Sequence, residues 1–363
     1  MYGIYQNCLL MFKYFFFLHV LAMLLIFNHS KNISMIFTNV QLQNFIGRIK
    51  LKNENMPKYR DQIDNLRDKL AKKIKEDSRT GMKVTKFILA GSWKKRTILR
   101  PTGDNPIDID LILFVEGEEN LKDDLVKLHD FIVEYLKEIY PTKDINRDVD
   151  AEGHTKSIKI RFSGTGLELD IVPVVPLEKP IDYVWQPQRR GGGKYITSIT
   201  KQLDFASERR DSNNSYTAIV RAIKWWRNYK ELMPVEDEPG LSSFAIELIV
   251  AYLDIIKGVE SNIEEGIIRF FQFLSTTNFP VIKFTKAINT VPSYDTPIYI
   301  ADNTNNENNT VKKLTKEKWE EIVREAEDAF DSLNIAQSKR YEGETIEEWK
   351  RVFGPSFSIN SEN

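Results

Sequence analysis

Apolar positions change period along this chain, and the changes mark out its elements. Met56, Tyr59, Ile63, Leu66, Leu70 and Ile74 recur at steps of three and four with charged residues between them, which predicts a long amphipathic helix. Phe87, Ile88 and Leu89 then run into Gly91-Ser92, the pattern of a strand followed by a turn. A second strand is predicted over 107–115 (IDIDLILFV), a helix over 121–140, and further strands over 158–162 (IKIRF) and 167–175 (LELDIVPVV). This order predicts a mixed sheet backed by helices, an α/β (α+β) lobe.

Residues 185–194 (WQPQRRGGGK) carry three consecutive glycines and no apolar period, so they read as a loop or hinge between lobes. Beyond them the period is helical over 216–230, 242–257, 262–274, 315–333 and 345–353, which predicts a second lobe that is nearly all α. The stretch DNTNNENNT at 302–310 reads as a polar loop. A single core stops growing at about 250 to 300 residues, so 363 residues imply two lobes with a cleft between them. The division is an apolar N-terminal segment at 1–34, an α/β lobe at 35–190 and a helical lobe at 191–363.

Composition narrows the class. Apolar residues at 42% and charged residues at 28% are ordinary globular usage. With 51 basic against 52 acidic side chains and a formal charge of −1, no global field draws the protein onto nucleic acid, and stable DNA binding is not expected. Cys8 is the only cysteine, which rules out an intrachain disulfide and fits a reducing compartment. His19, His29, His129 and His154 show no metal-ligand spacing, so zinc is not expected.

Residues 8–27 (CLLMFKYFFFLHVLAMLLIF) are apolar apart from Lys13 and His19. A membrane span needs roughly 20 apolar residues, and a secretory signal needs a small-residue cleavage site. Three readings stand: a membrane anchor, a signal peptide, or translated sequence upstream of a start at Met35. The abrupt change to amphipathic, charged sequence after Met35 favours the third, with a cytoplasmic protein.

Side chains alternate along a strand, so Asp108 and Asp110 share one face while Ile107, Ile109 and Leu111 point into the core. Such a pair suits two divalent ions held about 3.5 to 4 Å apart, because Mg²⁺ prefers oxygen ligands and offsets the like-charge repulsion. LELDIVPV repeats the device with Glu168 and Asp170. A single D-x-D is also what the wet face of a half-exposed strand looks like. Gly91-Ser92 adds a turn whose N–H groups and hydroxyl can approach phosphate, and Lys94, Lys95, Arg96 and Arg100 add local positive charge.

Taken in order, GSWKKRTILRPTGDNPIDIDLILFV followed by LELDIVPV resembles the nucleotidyltransferase signature of the polymerase-β and oligoadenylate synthase-like superfamily. Within it the chain is most similar to bacterial cGAS/DncV-like nucleotidyltransferases (CD-NTases) of CBASS anti-phage systems. IGRIKL, YTAIVRAIKWWRN, PGLSSFAIELIVAYL, IYIADNTNNENNTV and EEWKRVFGPSF resemble stretches of those enzymes, across about residues 36 to 357.

The resemblance implies a polymerase-β-like catalytic lobe with a mixed sheet, an α-helical C-terminal lobe and an active site in the cleft between them. It implies that Asp108, Asp110 and Asp170 hold two Mg²⁺ ions, with Mn²⁺ as the alternative, and that Asp170 helps deprotonate the acceptor hydroxyl. Gly91 and Ser92 would hold the donor triphosphate, and Lys224 and Ser243 would touch it from the helical lobe. Asp302 would lie near a nucleobase, although Asn303 stands where the family often has proline. Of the adjacent Trp225 and Trp226, set about 100° apart on a helix, at least one belongs to the core.

The implied activity condenses NTPs into a cyclic di- or trinucleotide second messenger with release of pyrophosphate. ATP is the leading substrate, with GTP or a pyrimidine NTP beside it, and a CBASS regulator and a downstream effector are the implied partners. Other enzymes with these carboxylates make linear oligoadenylate, extend RNA ends or adenylylate small molecules; the C-terminal stretches favour the cyclising group. An inactive nucleotide-sensing, membrane-associated protein is the remaining class, and the presence of all three carboxylates counts against it.

Overall fold

The computed structural model describes residues 37–102, 106–117, 125–142, 157–188, 193–235, 238–277 and 279–361. The apolar stretch 8–27, with the choice among anchor, signal and upstream sequence, lies outside the described residues, as do Cys8, Arg189 and Arg190. Among the described residues no helix is long and apolar enough to cross a membrane.

The four strands read from the period are present as β1 (Lys83–Leu89), β2 (Ile107–Glu116), β3 (Ile158–Phe162) and β4 (Leu167–Pro176). β2 lies between an antiparallel β1 and a parallel β4. β3 pairs antiparallel with the first half of β4. The last residues of β4 pair with β5 (Val184–Gln188), which continues into β6 (Gly193–Thr197).

Within 185–194 the described residues 185–188 and 193–194 pair as two antiparallel strands rather than forming the loop or hinge that the lack of an apolar period suggested; residues 189–192 lie outside the described residues. A hairpin at a sheet edge is held by backbone hydrogen bonds and local contacts, such as Lys194 Nζ 4.4 Å from the centre of the Trp185 ring, and needs no alternating apolar run.

Helices α1 (Asn39–Ile49), α2 (Met56–Glu76) and the single turn α3 (Gly91–Lys94) precede β2, and α4 (Leu125–Ile139) follows it. The apolar stripe Tyr59, Ile63, Leu66, Leu70 and Ile74 of α2 packs with α4 against Ile107, Ile109, Leu111 and Leu113 of β2 and Leu167, Leu169 and Ile171 of β4. Residues 121–124, the predicted start of the helix in α4, lie outside the described residues. On the other face, Ile112, Phe114, Val172 and Val174 meet Ala90, Val184 and Ile199, the first residue of α5 (Ile199–Ser212). β2 reads as continuous apolar sequence from Leu111 because only that part of the sheet is covered on both faces.

A second core is built by α6 (Tyr216–Tyr229), α7 (Ser243–Lys257), α8 (Ile263–Thr276), α9 (Lys316–Ser338) and α10 (Glu342–Phe353). Residues 37–49 pack into this core, although the α/β lobe follows them directly in sequence: Phe45 lies 5.4 Å from Phe353 and 4.8 Å from Phe357, ring centre to ring centre. Asn44 Nδ2 donates to the Ile359 carbonyl at 2.8 Å, so the C-terminal tail straps α1 down. Both tryptophans of α6 are buried; Trp226 packs edge-on to Phe271, and Trp225 donates to the Phe353 carbonyl at 2.8 Å.

This lobe is not all α. β7 (Val281–Ile282), β8 (Tyr299–Asp302) and β9 (Asn305–Asn309) form a small sheet, so the asparagine-rich stretch at 302–310 is largely a buried hairpin rather than a polar loop. Asparagine side chains can satisfy buried backbone groups directly, as Asn306 does with Phe284 and Asn289.

Phe357 is buried among Phe37, Phe45, Trp349 and Phe353. Phe357→Ala should cost about 3 to 5 kcal/mol of stability, read as a lower urea midpoint; a change within error would mean that the tail does not hold α1.

Candidate active site

The parallel register sets Asp108 beside Glu168 and Asp110 beside Asp170, on the face opposite the α2–α4 layer. Parallel pairing brings equivalent positions of two strands together, so D-x-D on β2 meets E-x-D on β4 as one acidic patch. Burial and the charge of Asp108 push the Asp110 carboxyl up to about 7. Burial raises Asp170 to about 6, with Asp110 adding to the rise and the nearby Lys159 opposing it. Asp108 opens to solvent, yet the protein crowded around its carboxyl and then the charge of Asp170 push it in the same direction.

Two members of the patch are answered by β3. Lys159 Nζ donates to Glu168 Oε2 at 2.6 Å and stands 3.8 Å from Asp170 Oδ1, while Arg161 Nε donates to Glu168 Oε1 at 2.7 Å. Glu168 is pushed up by burial, but its bond to Lys159 and the two cations outweigh that and lower it. Asp170 Oδ1 is buried and accepts no hydrogen bond.

Gly91 closes the patch from β1. The Ala90 N–H donates to the Asp110 carbonyl at 2.9 Å, and Gly91 turns the chain with φ +54°. A Cβ there would stand 1.6 Å from Asp110 Oδ2, so glycine is required both for the left-handed backbone and for the carboxylate it touches. The first N–H groups of a helical turn point out of its N-terminal end, and α3 thus presents Gly91 and Ser92 beside Asp110.

The helical lobe reaches this turn through Lys224, which is buried on α6 and donates from Nζ to the Thr97 carbonyl at 3.1 Å. Burial brings its ammonium down to about 8, with Glu247 pulling the other way. Ser243 is the first residue of α7 and accepts from Arg227 Nη1 at 3.2 Å; the helix cap is its neighbour Ser242, whose side chain accepts from the Ala245 N–H. Asp302 is buried and saturated: Oδ2 accepts from Thr197 and Gln202, and Oδ1 accepts from the Thr304 N–H and hydroxyl. Gly91, Asp108, Asp110 and Asp170 are thus brought together, Lys224 joins through Thr97, and Asp302 is engaged in its own hydrogen-bond network.

Of the basic residues after Ser92, Lys94, Arg96 and Arg100 are exposed, with Arg100 5.5 Å from the Trp225 ring centre. Lys95 is buried in an ion pair with Glu247 at 2.8 Å. Sequence reading missed Lys159 and Glu247. IKIRF places Lys159 and Arg161 on one strand face, but only the β3–β4 register shows that this face meets Glu168 and Asp170.

Residues 36–213 match the model of the Second Messenger Oligonucleotide or Dinucleotide Synthetase domain. A CBASS oligonucleotide cyclase CdnC of Escherichia coli (strain KTE188) is 31% identical over 326 residues, which cover 90% of this chain and 99% of that one. The chain belongs to the CBASS oligonucleotide cyclases. A cyclic AMP-AMP-AMP synthase of Escherichia coli (strain MS 115-1) is 28% identical over 338 residues, 86% of the cyclase described here and 96% of the synthase. The solved structure of E. coli MS115-1 CdnC with ATP shares 26% identity at a TM-score of 0.72 and covers 89% of this cyclase and 99% of that chain. The same CdnC has been solved in a complex with HORMA-deltaN, at a TM-score of 0.69. Vibrio cholerae DncV cyclic AMP-GMP synthase, 16% identical, has the same fold at a TM-score of 0.60.

The cyclase is thus a nucleotidyltransferase of the cGAS/DncV-like group with a polymerase-β-like fold, a class that typically uses divalent metals. Its carboxylates fit such an ion: they share a face, repel one another, and leave Asp170 Oδ1 without a hydrogen bond. Among the described residues no three acidic, histidine or cysteine side chains already close into a metal cage.

Gly91→Ala should cut product formation at least about 100-fold by displacing the Asp110 carboxylate; activity within a few-fold of the parent would contradict the Gly91–Asp110 contact. The raised carboxyls carry a signed pH dependence. Folded Asp110 and Asp170 hold protons that the unfolded chain gives up near pH ~4, so metal-free stability falls as pH rises from about 4 to about 7. In EDTA, Tm should be lower at pH 8 than at pH 5.5, Asp110→Asn should remove part of that loss, and Mg²⁺ should raise Tm more at pH 8.

Proposed function

We propose that this cyclase condenses NTPs into a cyclic di- or trinucleotide messenger for CBASS anti-phage signalling, releasing pyrophosphate at each transfer. The observation that carries the reading is the placement of Asp110 beside Asp170 with the Gly91 turn packed on the Asp110 carboxylate. Asp108, Asp110 and Asp170 hold the metal, which is two Mg²⁺ ions or Mn²⁺ in their place. When bound, these ions supply Lewis-acid stabilisation of the attacking and leaving oxygens.

The chain's own groups do the rest. Gly91 and Ser92 offer N–H groups and a hydroxyl to the donor triphosphate, and Lys224 and Ser243 touch it from the helical lobe, Lys224 adding a positive charge. Asp170, whose Oδ1 has no hydrogen bond to lose, takes the proton of the acceptor hydroxyl. Asp302, held rigidly by Thr197, Gln202 and Thr304, shapes the wall nearest the nucleobase rather than donating a free carboxylate. Burial of Lys224 strengthens its attraction for phosphate by excluding water.

ATP is favoured as substrate because one relative is named a cyclic AMP-AMP-AMP synthase and another was solved with ATP. The HORMA complex of a relative supports a protein regulator for this cyclase as well, and the cyclic product acts on a downstream effector in the cytoplasm. The test is incubation of the protein from Met35 with all four NTPs and Mg²⁺, followed by phosphatase treatment and mass spectrometry. Phosphatase-resistant cyclic species are expected, absent from the Asp108→Ala, Asp110→Ala double variant; solely linear products would replace the cyclising reading with an oligoadenylate-type polymerase.

A further inference from the structure

Glu247 lies on α7 in the helical lobe, yet both of its carboxylate oxygens are used by the other lobe. Oε2 accepts from Lys95 Nζ and Oε1 accepts from Thr97 Oγ1, each at 2.8 Å. All three residues are buried. Lys95 Nζ also lies 4.4 Å from the ring centre of Phe244, one turn earlier on α7.

Lys95 and Thr97 are the residues on which the phosphate-facing turn is hung. The Lys95 N–H donates to the Gly91 carbonyl at 3.1 Å, and the Thr97 N–H donates to the Ser92 carbonyl at 2.8 Å. Lys224 fixes the Thr97 carbonyl from α6 at 3.1 Å. Two helices of one lobe therefore grip Lys95 and Thr97 of the other, and the grip transmits through two backbone hydrogen bonds to Gly91 and Ser92.

We infer that Glu247 is a positioning residue for donor binding, setting where the Gly91-Ser92 turn stands between Asp110 and Lys224. This rests on the reading of that turn as the donor-triphosphate site. The alternative is a buried ion pair that only holds the lobes together, which would act on stability alone. The two differ in what they do to nucleotide binding at temperatures where the protein remains folded.

The chemistry separates the contributions. Glu247→Gln keeps the shape and an oxygen for Thr97 but leaves Lys95 without its anion. Thr97→Val removes the hydroxyl at nearly constant volume, and Thr97→Ser restores it. Truncating one partner of a buried charge pair alters affinity strongly, so Glu247→Gln should raise the NTP KM about tenfold or more with a smaller fall in kcat. Thr97→Val should act in the same direction and Thr97→Ser should recover parent behaviour. Lys95→Met combined with Glu247→Gln should be less severe than the product of the two single effects, because the pair is one interaction.

The experiment measures binding of a non-hydrolysable ATP analogue with Mg²⁺ by calorimetry, alongside steady-state kinetics, at least about 15 °C below each variant's Tm so that every sample stays folded. Weaker analogue binding in Glu247→Gln and Thr97→Val, with recovery in Thr97→Ser, upholds the inference even if the product turns out to be linear. Parent-like analogue binding and KM in Glu247→Gln, whether or not Tm falls, overturn it and leave a purely structural ion pair. Failure of the parent protein itself to bind the analogue would overturn the donor-site reading and the inference with it.

Discussion

Mutual repulsion among carboxylates on one sheet face is the constraint around which this molecule is arranged. Asp108, Asp110 and Asp170 stand on adjacent parallel strands at matching positions, with Asp110 and Asp170 paired. In water such a patch would be tolerated as ordinary solvated surface; here burial of Asp110 and Asp170, with the charges of their neighbours, forces those carboxyls above their usual range. The fold bears that cost with cations at fixed places: Lys159 and Arg161 from β3, and Lys224 and Lys95 at the lobe boundary.

Preorganisation here is mostly backbone work. Gly91 turns with positive φ directly against Asp110, and its neighbour Ala90 bonds the Asp110 carbonyl, so turn and carboxylate move as one unit. The opposite face of β2 and β4 is closed by α2 and α4, which makes the acidic face a wall that cannot retreat. Dipoles and charges fixed in this way need no reorganisation to meet a charge placed among them.

The two lobes are joined more intimately than chain order suggests. α1 leaves the N-terminal half to pack under the C-terminal tail, the Arg100 N–H bonds the Ile49 carbonyl, and β6 is tied to the asparagine hairpin through Asn305 and Asn308. Such crossings fix the cleft from both sides, so a change in one lobe is felt in the other through packed side chains and hydrogen bonds.

Much of this was written into the chain one element at a time. Period alone located α2, β2, β3, β4 and the helices of the second core, because the alternation of buried and exposed positions is a property of each element by itself. The order of Gly91-Ser92, D-x-D and the later Asp170 likewise marked the candidate site, since glycine at a tight approach and acids on one strand face are local requirements. Period could not find α5, which buries only Ile199 and Ala206, nor the hairpins at 184–197 and 299–309, whose stability lies in backbone pairing and amide side chains. What only the tertiary structure decided were relations between elements: the registers that set Asp110 beside Asp170 and Lys159 across from Asp170, and the packing that sets Glu247 against Lys95 and Thr97 after the Gly91-Ser92 turn. Each depends on which faces meet in space, and a sequence records the faces without recording their partners.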